Sequence, residues 1–220
     1  MNKTDIINAG LFTVGAKKIF GPNDNTKSAK LADSIYEFCR QLVFDLPIDW
    51  KWAIARSDQL AQLADPATGP DHQYALPDNC VRPLSMVDVD GDDVEYPFQP
   101  GLLVDGGSIT KTLQTNVDAG DVYIKYIVFI EDEAMYPAWF AQLISLEIAL
   151  YVSEPIKQHT PHYTKVKDML ETAYTVAAES NALWGVKTDP DTRQSVDFGN
   201  NSLVNAALRP EGIIINDGIC

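Results

Sequence analysis

Few residues in this chain have the types and spacing that chemistry needs. Asp88-Val89-Asp90-Gly91-Asp92-Asp93 places carboxylates at the odd spacing of a calcium loop. An EF-hand loop needs glycine at its sixth position and glutamate at its twelfth. Those positions hold Asp93 and Gln99 here. Alternating apolar residues flank the run, so it reads as a hairpin turn. His159 and His162 lie three apart, but Pro161 falls between them at a helix start. No HExxH or similar ligand cluster accompanies them or His72. Glu131-Asp132-Glu133 could supply the paired carboxylates of glycoside cleavage. Adjacency in sequence does not create that geometry, and acidic residues before a helix also complement its dipole. A cap and solvated turn is the simpler reading.

Other nucleophile and phosphate patterns fail in the same way. Gly106-Gly107 is not followed by GK[ST], so it is a turn and not a phosphate cradle. No GxSxG elbow is present. Cys39, Cys80 and Cys220 are an odd, scattered set. They form no CxxC pair and no disulfide framework, which fits a reducing, cytosolic origin. Cys39 and Cys80 have apolar neighbours and are expected to be small buried hydrophobes. Trp50 and Trp52 could stack bases, but Lys51 is the single cation between them, short of the interleaved basic set of a nucleic-acid platform. Core or subunit contact is the expectation. On these grounds no catalytic residue, metal or cofactor is expected.

Composition narrows the function classes further. The 220 residues are 45% hydrophobic and 10% aromatic, enough for a packed core. The net charge of −14 argues against a surface that grips DNA by counterion release. Such acidity either keeps the protein soluble or lets DNA pass without sticking. The N-terminus has no long apolar run, so no signal peptide is expected. No segment approaches the roughly 20 apolar residues of a membrane span.

The elements that position these residues follow from periodicity. Thr4–Ala16 is expected as a first helix, capped by Thr4, with Ile7, Leu11 and Val14 on one face. Thr26 caps a second, with Leu31, Ile35, Phe38, Cys39, Leu42 and Leu46 at helical spacing and Pro47 as its break. Asp49 is read as the cap of a third helix reaching about Leu63. A Pro/Gly-rich loop covers 65–71. From Gln73 to Ile130 short strands dominate. Val87–Val89 and Val94–Phe98 flank a turn at Asp90-Gly91, and Leu102–Val104 and Ser108–Thr110 flank another at Gly106-Gly107. Val122–Ile130 is the strongest strand pattern. Tyr136-Pro137 starts an apolar helix ending at Pro155, and Thr160-Pro161 starts a last one. Its stripe is Tyr163, Val166, Leu170, Ala173, Tyr174 and Ala177. After Asn181 no period is sustained. Residues 182–220 are read as an arm that orders on a partner, with Trp184, Val186, Val196, Phe198, Leu203 and Val204 as anchors. Ile213-Ile214-Ile215 is apolar enough to add as a strand to a neighbour's sheet edge.

The expected class is therefore α+β. Residues 1–65 and 134–181 form an antiparallel helical bundle, 73–130 an inserted small antiparallel β domain, and 182–220 an extended C-terminal arm. Pro77 is expected to hand the chain from helices to sheet, with Tyr74 and Leu76 packing and Arg82 pairing with a carboxylate at a subunit boundary.

Three ordered segments carry a resemblance: Trp50–Arg56 (WKWAIAR), Tyr74–Arg82 (YALPDNCVR) and Ile124–Ile156, where an Ile-Lys-Tyr-Ile strand leads through acidic residues and Tyr-Pro-x-x-Phe into an apolar helix. In this order they resemble the head-to-tail adaptors of tailed bacteriophages, the tail tubular protein A-like family, over about residues 5–180. The resemblance implies a structural, non-enzymatic virion protein. It implies a homo-oligomeric ring, a 12-mer, under the portal protein. The helices would face the portal and the β part the tail nozzle or tail tube, with genomic DNA passing through the lumen. No cofactor and no membrane are implied, and assembly would take place in the host cytoplasm. Trp184, Phe198, Leu203, Val204, Ile213, Ile214, Ile215 and Arg82 are the candidate partner-binding residues. The alternatives are another phage neck or tail completion protein, or a tail-associated glycan hydrolase acting through Glu131, Asp132 and Glu133.

Overall fold

The computed structural model describes residues 1–21, 24, 26–66, 69–116, 121–157 and 160–184. The order is α1 Lys3–Thr13, α2 Lys27–Phe44, a 3-10 turn Lys51–Ala53, β1 Ile54–Arg56, β2 His72–Ala75, β3 Cys80–Val87 and β4 Asp93–Val94. There follow β5 Gln99–Asp105, β6 Ser108–Thr115, β7 Tyr123–Val128, a 3-10 turn Glu133–Met135, α3 Ala138–Lys157 and α4 Thr160–Leu183. The class is α+β, four α-helices with antiparallel sheets.

Local sequence explains the helix ends. Asn2, not Thr4, caps α1. Its side chain accepts from the Asp5 amide at 2.9 Å, and the Asp5 carboxylate accepts from the Asn2 amide at 3.1 Å. This reciprocal box satisfies two orphan donors and starts the helix earlier than expected. The helix stops at Thr13 rather than Ala16 because Gly15 takes a φ of 65°. The Ala16 amide then reaches Leu11 O and the Gly15 amide reaches Phe12 O, a Schellman closure. Thr26 caps α2 as expected. The buried face of α2 is Ala29, Ala32, Tyr36, Cys39 and Val43, whereas Phe38 is exposed. The apolar stripe is thus rotated from the one that Leu31, Ile35 and Phe38 suggest. α3 continues across Pro155 to Lys157. A proline this near a helix end removes one N–H from the last turns and does not stop the helix at once.

The expected third helix does not form. Only Lys51–Ala53 turns, and Ile54–Arg56 pairs with Ile127–Lys125 of β7. The Ser57 amide then bonds Ile124 O, the Leu60 amide bonds Val122 O, and Leu63 and Ala61 bond the β2 backbone at Gln73 and Ala75. Segment 54–63 therefore lies along an edge of each sheet in turn. The exposed backbone of β7 and β2 needs partners, and satisfying it outweighs a helical propensity that is weak for Ile and Trp.

One sheet has the order β1-β7-β3-β4 and the other β2-β6-β5. Two cores result. The larger joins α1–α4 to Trp50, Ala53, Ile127 and Phe129, with Val81 and Leu84 of β3 packed against it. The smaller lies between the sheets and contains Tyr74, Leu76, Cys80, Met86, Leu113, Ile124 and Tyr126. Period-2 alternation lets β7 serve both, with Ile124 and Tyr126 in one core and Ile127 in the other. α3 sits against α1, α2 and α4. Its approach to α1 is so close that a Cβ on Gly10 would meet Ser145 O at 2.6 Å. The α4 stripe buries Val166, Leu170 and Ala177 and half-buries Tyr163, Ala173 and Tyr174, as its periodicity predicts.

Candidate functional site

The Tyr74–Arg82 segment is a joint. Tyr74 and Leu76 are buried, as expected. The turn from Pro77 to Cys80, closed by the Cys80 amide on Pro77 O, passes the chain from one sheet to the other. It does not hand helices to sheet, because β2 already precedes it. Arg82 donates to Leu46 O at 3.1 Å and Ile48 O at 2.9 Å, and pairs with Asp49 at 2.9 Å. The carboxylate that Arg82 meets thus belongs to its own chain. The contact ties β3 to the segment leaving α2.

A second joint closes the other end of the same segment. Asn181 of α4 donates to Asp49 O at 2.9 Å and accepts from the Lys51 amide at 2.7 Å. Lys51 Nζ donates to Ala182 O. Trp50 is fully buried and donates its indole N–H to Val43 O at 3.1 Å. Trp52 lies 4.7 Å from the Phe140 ring, and Phe44, Trp50 and Tyr136 surround that ring too. Both tryptophans therefore serve the core, as expected.

The acidic run is structured by α2. Asp132 caps the 3-10 turn through the Ala134 amide at 2.9 Å. Glu133 accepts from Tyr36 OH at 3.1 Å and lies 3.8 Å from Arg40. Arg40 also bonds Glu131 O and Glu37, and its guanidinium rests 4.6 Å from the Phe129 ring centre. Burial together with the Glu133 charge pushes the Tyr36 hydroxyl far above its usual range. Each of these groups holds α2 against the entrance to α3.

Among the described residues, Cys39 and Cys80 are both buried. Burial pushes the Cys39 thiol up to about 12 and the Cys80 thiol up to about 11. A thiol this far above neutrality supplies almost no thiolate nucleophile. The Asp88–Asp93 run is a turn between β3 and β4, closed by Gly91 N on Asp88 O and by the Asp92 amide on the Asp88 carboxylate. Among the described residues no group of three or more His, Cys, Asp or Glu side chains is placed to hold a metal. Within that same set no helix is long and apolar enough to cross a membrane.

Glu147 interrupts the apolar sequence of α3. It is buried in α3 and accepts a bond from Tyr174 OH of α4. Burial raises its pKa above the usual 4.5, and the Tyr174 bond opposes the rise.

Grooves and exposed apolar side chains occur on several elements, with Phe12, Phe20 and Phe38 exposed on the helical side. A groove of about 710 Å³ is lined by Gln41, Asp45, Asp78, Lys111, Phe129 and Glu131. A smaller one of about 280 Å³ is lined by Leu76, Val81, Pro83, Pro100, Leu102 and Lys111. Beyond it the β5–β6 hairpin exposes Leu102 by 64%, Val104 by 68% and Ile109 by 67%. Leu102 faces Lys111 and Val104 faces Ile109 across the ladder, so the apolar three share one side. The sequence placed these residues in a hairpin but gave no sign of their exposure. Trp184, a candidate anchor, follows α4 and is 47% exposed. Phe198, Leu203, Val204 and Ile213–Ile215 lie outside the described residues. No family model matches this chain, and no curated protein matches it.

Proposed function

We propose that this protein is a non-enzymatic head-to-tail adaptor of a tailed bacteriophage. In this reading copies of the chain form a ring, a 12-mer, between portal and tail nozzle or tail tube. The helices form an antiparallel bundle toward the portal, the inserted β domain faces the tail, and the C-terminal arm adds contacts. DNA crosses an acidic lumen without adhering, by like-charge repulsion.

One observation carries the reading. The residues on which the resemblance rests are the joints of this fold. Trp50, Tyr74, Leu76, Cys80, Tyr136 and Phe140 are buried, and Arg82 is bonded to three residues of the segment leaving α2. Residues so placed set the angle between helical and β parts, which a ring of copies must reproduce at every subunit. The groups that could suggest catalysis are instead engaged in packing: Glu133 with Tyr36 and Arg40, Asp132 in a cap, Cys80 in a core.

Co-sedimentation with the portal protein from the same phage genome tests the proposal. Stoichiometric co-migration with the portal ring is expected. Failure to associate at any salt concentration would contradict it. Locating the chain elsewhere in an intact neck would favour a different completion protein.

A further inference from the structure

The two sheets have four outer edges, and they differ. β4 has two residues and β1 three. The outer side of β2 is covered by segment 61–63. β5 runs seven residues, and among the described residues nothing pairs with its outer side. A long open edge with apolar side chains is a template for another strand.

The register tells which groups that edge offers. Asp105 and Ser108 close the two-residue turn at Gly106-Gly107, where both φ values are positive. Such a turn is closed by a bonded pair, and bonded and non-bonded pairs then alternate along an antiparallel ladder. Counting back, Leu103 and Gly101 are bonded to β6, whereas Val104, Leu102 and Pro100 are not. Pro100 agrees with this count, since proline has no N–H and belongs where that position faces outward. The N–H and C=O of Leu102 and Val104 therefore point away from β6. Two residues, one apart, each offer a donor and an acceptor, and their exposed side chains share a face with Ile109.

We propose that this edge receives Ile213-Ile214-Ile215 from a neighbouring copy of the chain as an added antiparallel strand. Three residues are what the edge can bind. Ile213 and Ile215 exchange bonds with Val104 and Leu102, in the manner of β-augmentation. Directly opposed residues share a face, so Ile213 and Ile215 cover Leu102, Val104 and Ile109 while Ile214 lies with Leu103. Gly212 and Asn216 bound the run and limit the strand to this length. Length is no obstacle, since residues 185–212 span up to about 90 Å when extended. A strand this short binds weakly alone, but repetition around a closed assembly multiplies it. The inference stands without the adaptor reading, because it concerns only contacts between copies.

Two measurements test it. Hydrogen exchange should slow at the Leu102 and Val104 amides by about tenfold or more in the full chain relative to a chain ending at Glu211. Equal exchange in the two would overturn the proposal. The second is a mixing experiment. A chain ending at Glu211 keeps the edge and lacks the strand, whereas full-length Val104→Pro keeps the strand and lacks an outward N–H. At high protein concentration, where a single short strand on a single edge still binds, each alone should sediment as a monomer, and together they should form a one-to-one complex. No complex overturns the proposal, and so does a full-length chain with slow exchange that stays monomeric at every concentration. If Val104→Pro fails to fold, Leu102→Asp takes its place. Edge protection and complex formation without portal binding would remove the adaptor reading and leave this one intact.

Discussion

The helical core and the β5–β6 hairpin differ in how far they complete themselves. Around Phe140 four aromatic rings lie within 5.3 Å, and the buried Trp50 indole has its carbonyl partner. On the hairpin three large apolar residues share an exposed face beside an open edge. Isolated exposed apolar residues are ordinary, but a contiguous set beside unpaired backbone is a contact surface. The core region fixes shape, and the hairpin region leaves apolar surface and a strand edge exposed.

Substitutions should separate the two. Phe140→Ala empties the centre of the aromatic cluster and should cost about 3–5 kcal/mol, read as a lower denaturant midpoint. Gly10→Val forces α1 away from the Ser145 carbonyl and should cost about 1–3 kcal/mol. Arg82→Ala removes the bonds to Leu46 O, Ile48 O and Asp49 and should cost about 1.5 kcal/mol. At the other end, Leu102→Ser with Val104→Thr should change stability by less than about 0.5 kcal/mol per site while abolishing self-association. A large loss of stability from that pair would erase the contrast. Cys80→Ala should leave assembly intact, since the thiol acts only as a small apolar group.

The Glu147–Tyr174 contact sharpens the contrast through pH. Burial raises the Glu147 pKa in the folded state above 4.5, so folding takes up a proton between 4.5 and that raised value. Its stabilising contribution is full below 4.5 and declines as pH rises through the folded pKa. Glu147→Gln cannot titrate. Melting of the two proteins should therefore show wild type gaining on the variant as pH falls toward 4.5. A difference independent of pH would remove the buried carboxyl from this role.

Much of the helical half was legible because its signals are local. Thr26, the α4 stripe and the apolar run of α3 each mark an element within a few residues. The third helix misled because Trp50 and Ile54 lie four apart, as on a helical face, although Trp50, Trp52 and Ile54 together carry the period of two of a strand, and the unpaired edge of β7 decides for extended chain. Arg82 and Asp49 lie 33 positions apart and Asn181 and Lys51 130 apart, so no window could reveal those joints. Glu147 did leave a trace, as an acid in the middle of an apolar helix. The hairpin's exposure depends on where the first sheet ends, which pairing order sets and composition does not.

Class averages from electron microscopy of portal rings mixed with this protein test the adaptor role most directly. An added twelve-fold layer on one face of the portal is expected, with density on its far side for the β5–β6 hairpins. Bare portal rings beside dispersed monomers, at saturating protein, would contradict it.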